Sequence, residues 1–136
     1  SEMDEKILIQ AATEAREYAY VPYSRFKVGA ALQSRDGRIF RGANIENASY
    51  GLTVCAERVA LFKAVSEGVR DFVSLAVVTD AAEPASPCGA CRQVLAEFAP
   101  ELKVYLANLE GKVTSTSVAE LLPLAFTSRD MEECHE

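Results

Sequence analysis

Cys55 is followed two residues later by Glu57, and two more cysteines stand in the segment Pro87-Cys88-Gly89-Ala90-Cys91. Thiolates are good zinc ligands. A structural zinc site closes with four protein ligands, whereas a catalytic one keeps a position open for water. Three cysteines leave that position open. A carboxylate beside it, Glu57, can take a proton from the water and deliver it to a substrate. The set therefore points to zinc-assisted hydrolysis. It also has to do without imidazole. The single histidine, His135, is the penultimate residue, a poor place from which to run a Ser-His-Asp or Cys-His mechanism.

Each of these residues has a plainer reading when taken alone. Cys88-x-x-Cys91 is also the spacing of a redox pair, and Cys55 by itself reads as a small buried side chain. A structural four-cysteine zinc knot would have to recruit Cys134 from the acidic end Glu132-Glu133-Cys134-His135-Glu136. Glu57 alone is a solvated carboxylate at a helix start. Arg58 alone is a surface ion-pair partner. Together they make more sense. Three thiolates and Zn²⁺ sum to −1, and Arg58, three residues after Cys55, lies on its face and can donate to ligand sulfur as a compensating cation.

The elements that must position these residues follow from periodicity and punctuation. Ile7, Leu8, Ala11, Ala12, Ala15 and Ala19 predict a first helix over about residues 4–19, broken by Val21-Pro22-Tyr23-Ser24. Residues 26–33 predict a strand, Asp36-Gly37 a hairpin turn and residues 38–43 its partner. Residues 44–54 are polar and irregular. A helix is predicted over 55–67, a buried strand over 72–78, a loop over 79–87 and a helix over 88–99 that Pro100 ends. Strands at 104–107 and 113–115 flank Asn108-Leu109-Glu110-Gly111. That link is too short for a parallel crossover, so the pair should be antiparallel. Ser117-Val118-Ala119-Glu120 fits a capping box. Both cysteine segments thus fall at helix N-termini, where positive partial charge and free N–H groups favour the thiolate. Helices alternating with strands predict helices on both faces of one mixed sheet.

The length of 136 residues, with 49% hydrophobic and 25% charged, suits one ordinary globular domain over 1–136. Residues 1–3 are expected outside the fold and 129–136 as a frayed tail. No apolar run is long enough to span a membrane. The acidic start Ser1-Glu2-Met3-Asp4-Glu5 is no signal peptide, so a reducing, cytoplasmic setting is expected and the Asn47-Ala48-Ser49 sequon is a chance match. A net charge of −6 and the lack of a basic run argue against nucleic acid or an anionic membrane as partner. A small neutral substrate fits better.

The paired segments match a signature of zinc nucleobase deaminases, His-x-Glu followed by Pro-Cys-x-x-Cys, in its all-cysteine form. From Val21-Pro22-Tyr23-Ser24 through Leu121-Leu122-Pro123 the chain resembles the small, homotetrameric cytidine deaminases. The resemblance implies a three-layer α-β-α sandwich around a mixed five-stranded sheet, with its last two strands antiparallel. It implies one Zn²⁺ per subunit on Cys55, Cys88 and Cys91, and Glu57 as the proton shuttle that also contacts N3 of the base. Ala56 would fix the base through its backbone, Phe26 would stack on the pyrimidine, and Asn44 and Glu46 of Asn44-Ile45-Glu46-Asn47 would hold the sugar hydroxyls. Tyr50 and Phe126 resemble residues that reach a neighbouring subunit's site, which places active sites at subunit interfaces. The bland alternatives are a core strand residue for Phe26, loop capping for Asn44 and Glu46, and core or surface aromatics for Tyr50 and Phe126. The activity implied is hydrolytic deamination of cytidine and 2′-deoxycytidine. Two other readings are a deaminase of a blasticidin-type cytosine nucleoside, which shares both metal segments, and a zinc-stabilised module without catalysis.

Overall fold

The computed structural model describes residues 2–132. Helix α1 (Glu2–Ala15) leads to the hairpin β1 (Val28–Ser34) and β2 (Ile39–Ala43), then α2 (Ala56–Ser66), β3 (Phe72–Thr79), α3 (Gly89–Phe98), β4 (Lys103–Asn108), β5 (Val113–Ser117), α4 (Val118–Leu121) and α5 (Ser128–Glu132). The strands form one sheet in the order β2-β1-β3-β4-β5. Only β3 and β4 are parallel, joined through α3, while β1–β2, β1–β3 and β4–β5 are antiparallel. The final pair has the predicted direction. Its turn is held by Asn108, whose Oδ1 accepts from the N–H groups of Glu110 and Lys112, and Gly111 supplies a positive φ of 91°.

Strand alternation sends successive side chains to opposite faces, and the two faces bury different things. Ala31, Ala76, Val78 and Ala107 pack against Leu8 and Ala12 of α1. Ala30, Leu32, Leu75, Val77, Val104 and Leu106 pack against Ala60, Leu61 and Ala64 of α2 and Leu95 and Ala96 of α3. The result is three layers, with α1 on one face and α2 and α3 on the other. Gly42 sets how closely α2 approaches. A Cβ there would lie 2.5 Å from the Ala56 carbonyl and 2.6 Å from the Ala60 nitrogen, so any side chain would push the start of α2 off the sheet. That start carries Ala56 and Glu57.

The differences from the predicted elements have local causes. The α-helix ends at Ala15 and tightens into a 3₁₀ turn over Arg16–Tyr18 because the chain must become extended ahead of Pro22. Strand β1 begins at Val28, not Phe26. The Asn44 side chain donates from Nδ2 to the Phe26 carbonyl and accepts the Val28 N–H on Oδ1. It takes the place of ladder bonds and leaves Phe26 outside the sheet, half exposed. Helices α2 and α3 start one residue later than predicted, because Cys55 and Cys88 have extended backbone and act as N-caps. Ser117 caps α4 as expected, accepting from the Glu120 N–H at 3.2 Å. Glu2 and Met3, expected outside the fold, belong to the first turn of α1. Part of the expected frayed tail is α5, started by the Thr127 N–H donating to Asp130 Oδ2 at 2.8 Å. Cys134 and His135 lie outside the described residues.

Candidate active site

The polar segment 44–54 closes on itself through a short antiparallel bridge. Ile45 and Val54 exchange both backbone hydrogen bonds, and Tyr20 bridges to Ile45 from the other side. That closure puts Asn44 and Glu46, before the loop, beside Cys55, after it. The loop after β3 brings in Pro87 and Cys88, and the first turn of α3 brings in Cys91. The three sulfurs lie within 4.8 Å of one another, with Cys55 Sγ and Cys88 Sγ 3.8 Å apart. Ligands on a tetrahedral zinc with ~2.3 Å Zn–S bonds are about 3.8 Å apart, so the three thiols fit that ion. Among the described residues no fourth His, Cys, Asp or Glu joins them, as an open site requires.

The protons of this cluster are shared rather than owned by single residues. A hydrogen bond with Cys91 and the guanidinium of Arg58 draw the Cys55 thiol down to about 5, against an ordinary 9.0. Cys91, bonded to Cys55 and fully buried, is pushed far up. One thiolate therefore forms readily and the last reluctantly, which is what a cation would relieve. Arg58 Nη2 donates to Cys55 Sγ at 3.6 Å, and its Nε is buried without a partner among the described residues. The guanidinium is held against the sulfurs, as the −1 charge of a zinc–trithiolate set calls for.

Glu57 is the second residue of α2 and only 5% exposed. Burial is the main reason its carboxyl rises to about 7, and the neighbouring Cys55 charge adds to the shift. Positions i and i+2 diverge within a helix, but Cys55 is the N-cap and projects from the rim. Cys55 and Glu57 consequently line the same cavity. That cavity is about 290 Å³ and is also lined by Phe26, Asn44, Glu46, Ala56, Val77, Thr79 and Cys88. At its outer end Glu46 accepts the N–H groups of Tyr23 and Ser24 at 3.0 and 3.1 Å and the Ser24 hydroxyl, which holds its carboxyl below the usual value. Tyr50 is 75% exposed, stacks edge-on against Tyr23 and faces an adjoining cavity shared with Glu46. Phe126 is exposed and does not line the site cavity. The sequence-predicted set thus gathers in one place except for Phe126 and, in part, Tyr50.

Residues 2–107 match the family model described as the cytidine and deoxycytidylate deaminase zinc-binding region. A cytidine deaminase from Halalkalibacterium halodurans is 64% identical over 132 residues, 96% of this chain and 100% of the relative. The chain belongs to the cytidine deaminase family. The crystal structure of cytidine deaminase from Burkholderia pseudomallei superposes with a TM-score of 0.87 at 56% identity, covering 89% of this chain and 98% of that one. A blasticidin-S deaminase from Bacillus cereus is further away, 35% identical over 128 residues, 88% of this chain and 90% of the relative. Zinc is the metal of this family's binding region, and the three sulfurs form a cluster whose spacing could hold it. No helix among the described residues is long and apolar enough to cross a membrane.

Two contributors to this deaminase site escaped the sequence reading. Ser24, whose hydroxyl binds Glu46, stands in the sequence only as part of a helix break. Thr79 was read as the start of a loop, yet it ends β3 on the face of Leu75 and Val77, a parity that strand alternation could have supplied. It lines the cavity, is 1% exposed and has a buried hydroxyl without a partner among the described residues. An unmade buried hydrogen bond costs about 1–3 kcal/mol. Thr79→Val should therefore raise the melting temperature by about 3 °C, as measured by calorimetry.

Proposed function

We propose that this chain deaminates cytidine and 2′-deoxycytidine hydrolytically to uridine and 2′-deoxyuridine, releasing ammonia, as a step of pyrimidine salvage in the cytoplasm. The observation that carries this reading is the single cavity joining a buried, proton-poised Glu57 and three thiols at one end to Asn44, Glu46 and Phe26 at the other. Zinc held by Cys55, Cys88 and Cys91 supplies Lewis-acid activation of water. The chain's own residues do the rest. Phe26, outside the ladder and half exposed, offers a face for the pyrimidine to stack on. The buried Ala56 backbone at the helix rim fixes the base. Glu46, fixed by three donors, retains lone pairs for a sugar hydroxyl, and Asn44 Oδ1 has a second lone pair free beyond its bond to Val28. Glu57 accepts a proton from the attacking water as the C4–O bond forms and gives it to N3. It then takes the remaining proton from the new C4 hydroxyl and carries it to the exocyclic amine, which leaves as ammonia as the C4–N bond breaks. A carboxyl near 7 suits both acceptance and donation at neutral pH.

Exposed Tyr50, Leu124 and Phe126 support a homotetramer in which Tyr50 and Phe126 complete a neighbour's site. Exposed apolar surface of this kind is what an obligate assembly hides. Arg58 would hold the charge balance of the metal set. Arg58→Ala should move the acid limb of the rate profile to higher pH and lower kcat about tenfold, read from kcat at a series of pH values. An unchanged profile sinks that role.

The deciding experiment measures zinc content together with the ultraviolet change on cytidine. Zinc-loaded protein that leaves cytidine untouched overturns the proposal. The 35% identity to the blasticidin-S deaminase makes blasticidin S the second substrate of the panel. Faster turnover of it than of cytidine would favour the antibiotic reading over the Asn44–Glu46 sugar-binding one.

A further inference from the structure

The three sulfurs are not held equally well. Cys91 is fully buried inside the first turn of α3. Cys55 follows the Ile45–Val54 bridge and receives Arg58. Cys88 is exposed, stands ahead of its helix and has no capping bond from its side chain. Packing does not aim it.

Arg92 does. Its Nε donates to the Pro87 carbonyl at 2.7 Å, and its backbone N–H donates to the Cys88 carbonyl at 3.0 Å. The side chain therefore grips the peptide before Cys88, the ordinary helical bond of the main chain holds the peptide after it, and those two planes set its φ of −67° and ψ of 167°. With both dihedrals fixed, the Cα–Cβ direction that carries the sulfur is fixed as well. The rest of the guanidinium is anchored: Nη2 donates to Ser86 Oγ and Nη1 to the Leu121 carbonyl, both at 2.8 Å. Three separate acceptors around one planar fork is an arrangement that only arginine can satisfy. Leu121 ends α4, so the metal loop is braced against the C-terminal part of the chain. Gln93, next along α3, donates to the Phe126 carbonyl at 2.9 Å, but this bond touches nothing in the loop.

We propose that Arg92 is the positioning residue for Cys88: by clamping the Pro87–Cys88 peptide with its side chain and tying it to Leu121, it holds the exposed thiolate in ligating geometry. This rests on the zinc reading of Cys55, Cys88 and Cys91. Arg92 acts through Cys88 and not on substrate, so its loss should show in metal retention before it shows in KM.

The test follows zinc release from purified, zinc-loaded protein into an excess of a chromogenic chelator, well below the melting temperature. Arg92→Lys keeps the charge and loses the fork. Arg92→Gln keeps reach to one carbonyl and is the second variant should the first not fold. Both should release zinc about tenfold faster or more, the usual effect of losing a group that orients a ligand. At full zinc loading the KM for cytidine should stay within about twofold while kcat falls. A lowered melting temperature with wild-type zinc release would make Arg92 merely structural and overturn the proposal. Equal acceleration in Gln93→Ala, which cuts only the tie to Phe126, would overturn it too. Wild type that holds no zinc would remove the ligand set and this proposal with it, and that failure is visible before any variant is compared.

Discussion

Glu57→Gln is expected to lower kcat for cytidine by about 10⁴-fold, the upper range of a single general acid–base group, while one zinc per chain is retained. The magnitude follows from the number of transfers assigned to one carboxyl. It accepts a proton as water attacks, delivers it to N3, and serves the departing amine. Glutamine fills the same volume and donates a hydrogen bond, but it can neither take up nor release a proton. The environment strengthens the case. Burial raises the Glu57 carboxyl from 4.5 to about 7, a cost that a folded protein tolerates at a working site. The sign is that of an acid whose folded value lies above its unfolded one. Its stabilising contribution is complete below about pH 4.5 and is lost as the pH rises through about 7. In metal-free protein at pH 8, Glu57→Gln should therefore be more stable than wild type, by on the order of 3 kcal/mol. At pH 4 the difference should vanish. Denaturant titrations at the two pH values check the sign, and steady-state kinetics with metal analysis check the first claim. Near-normal turnover in the Gln variant would remove Glu57 from the mechanism and assign the proton transfers to another group.

How much of this could be read beforehand varies from residue to residue for physical reasons. Helices α2 and α3, the central strand β3 and the antiparallel β4–β5 pair were readable because local periodicity and a four-residue link determine them. The three sulfurs were readable because cysteine spacing at helix starts leaves few other uses. What local sequence does not carry is how one side chain rewrites the backbone of another segment. Asn44 takes the hydrogen bonds of Phe26 and Val28, which frees Phe26 from the sheet, and only the tertiary contact between residues 16–18 apart makes this visible. Spacing alone does not give the reach of Glu57 either, because positions i and i+2 diverge within a helix; that reach depends on Cys55 being an N-cap with extended backbone. Arg92 was silent for a similar reason. Two of its three side-chain acceptors are carbonyls, which every residue has and no motif announces.

Cys91→Ala should lose both the metal and the activity, and it separates the remaining readings of the cluster. Three thiolates share the binding of one ion. If they contribute comparably to a zinc affinity of ~10–16 kcal/mol, removing one costs about 4 kcal/mol, or ~10³-fold in affinity. The side chain is small, so the direct packing loss is modest even though Cys91 is fully buried. The instability of the variant should come instead from the missing ion, because an ion that binds only the folded state stabilises it by mass action. Adding dipicolinate should therefore lower the melting temperature of wild type and leave that of Cys91→Ala unchanged, and wild-type activity should return with added zinc. A Cys88–Cys91 redox pair predicts the opposite pattern. Chelation would then leave activity intact, and thiol oxidants would act where dipicolinate does not. The Cys55 sulfur argues against that outcome: it lies 3.8 Å from Cys88, with Arg58 donating to it. A dithiol switch needs neither a third sulfur at ligand distance nor a cation to offset it.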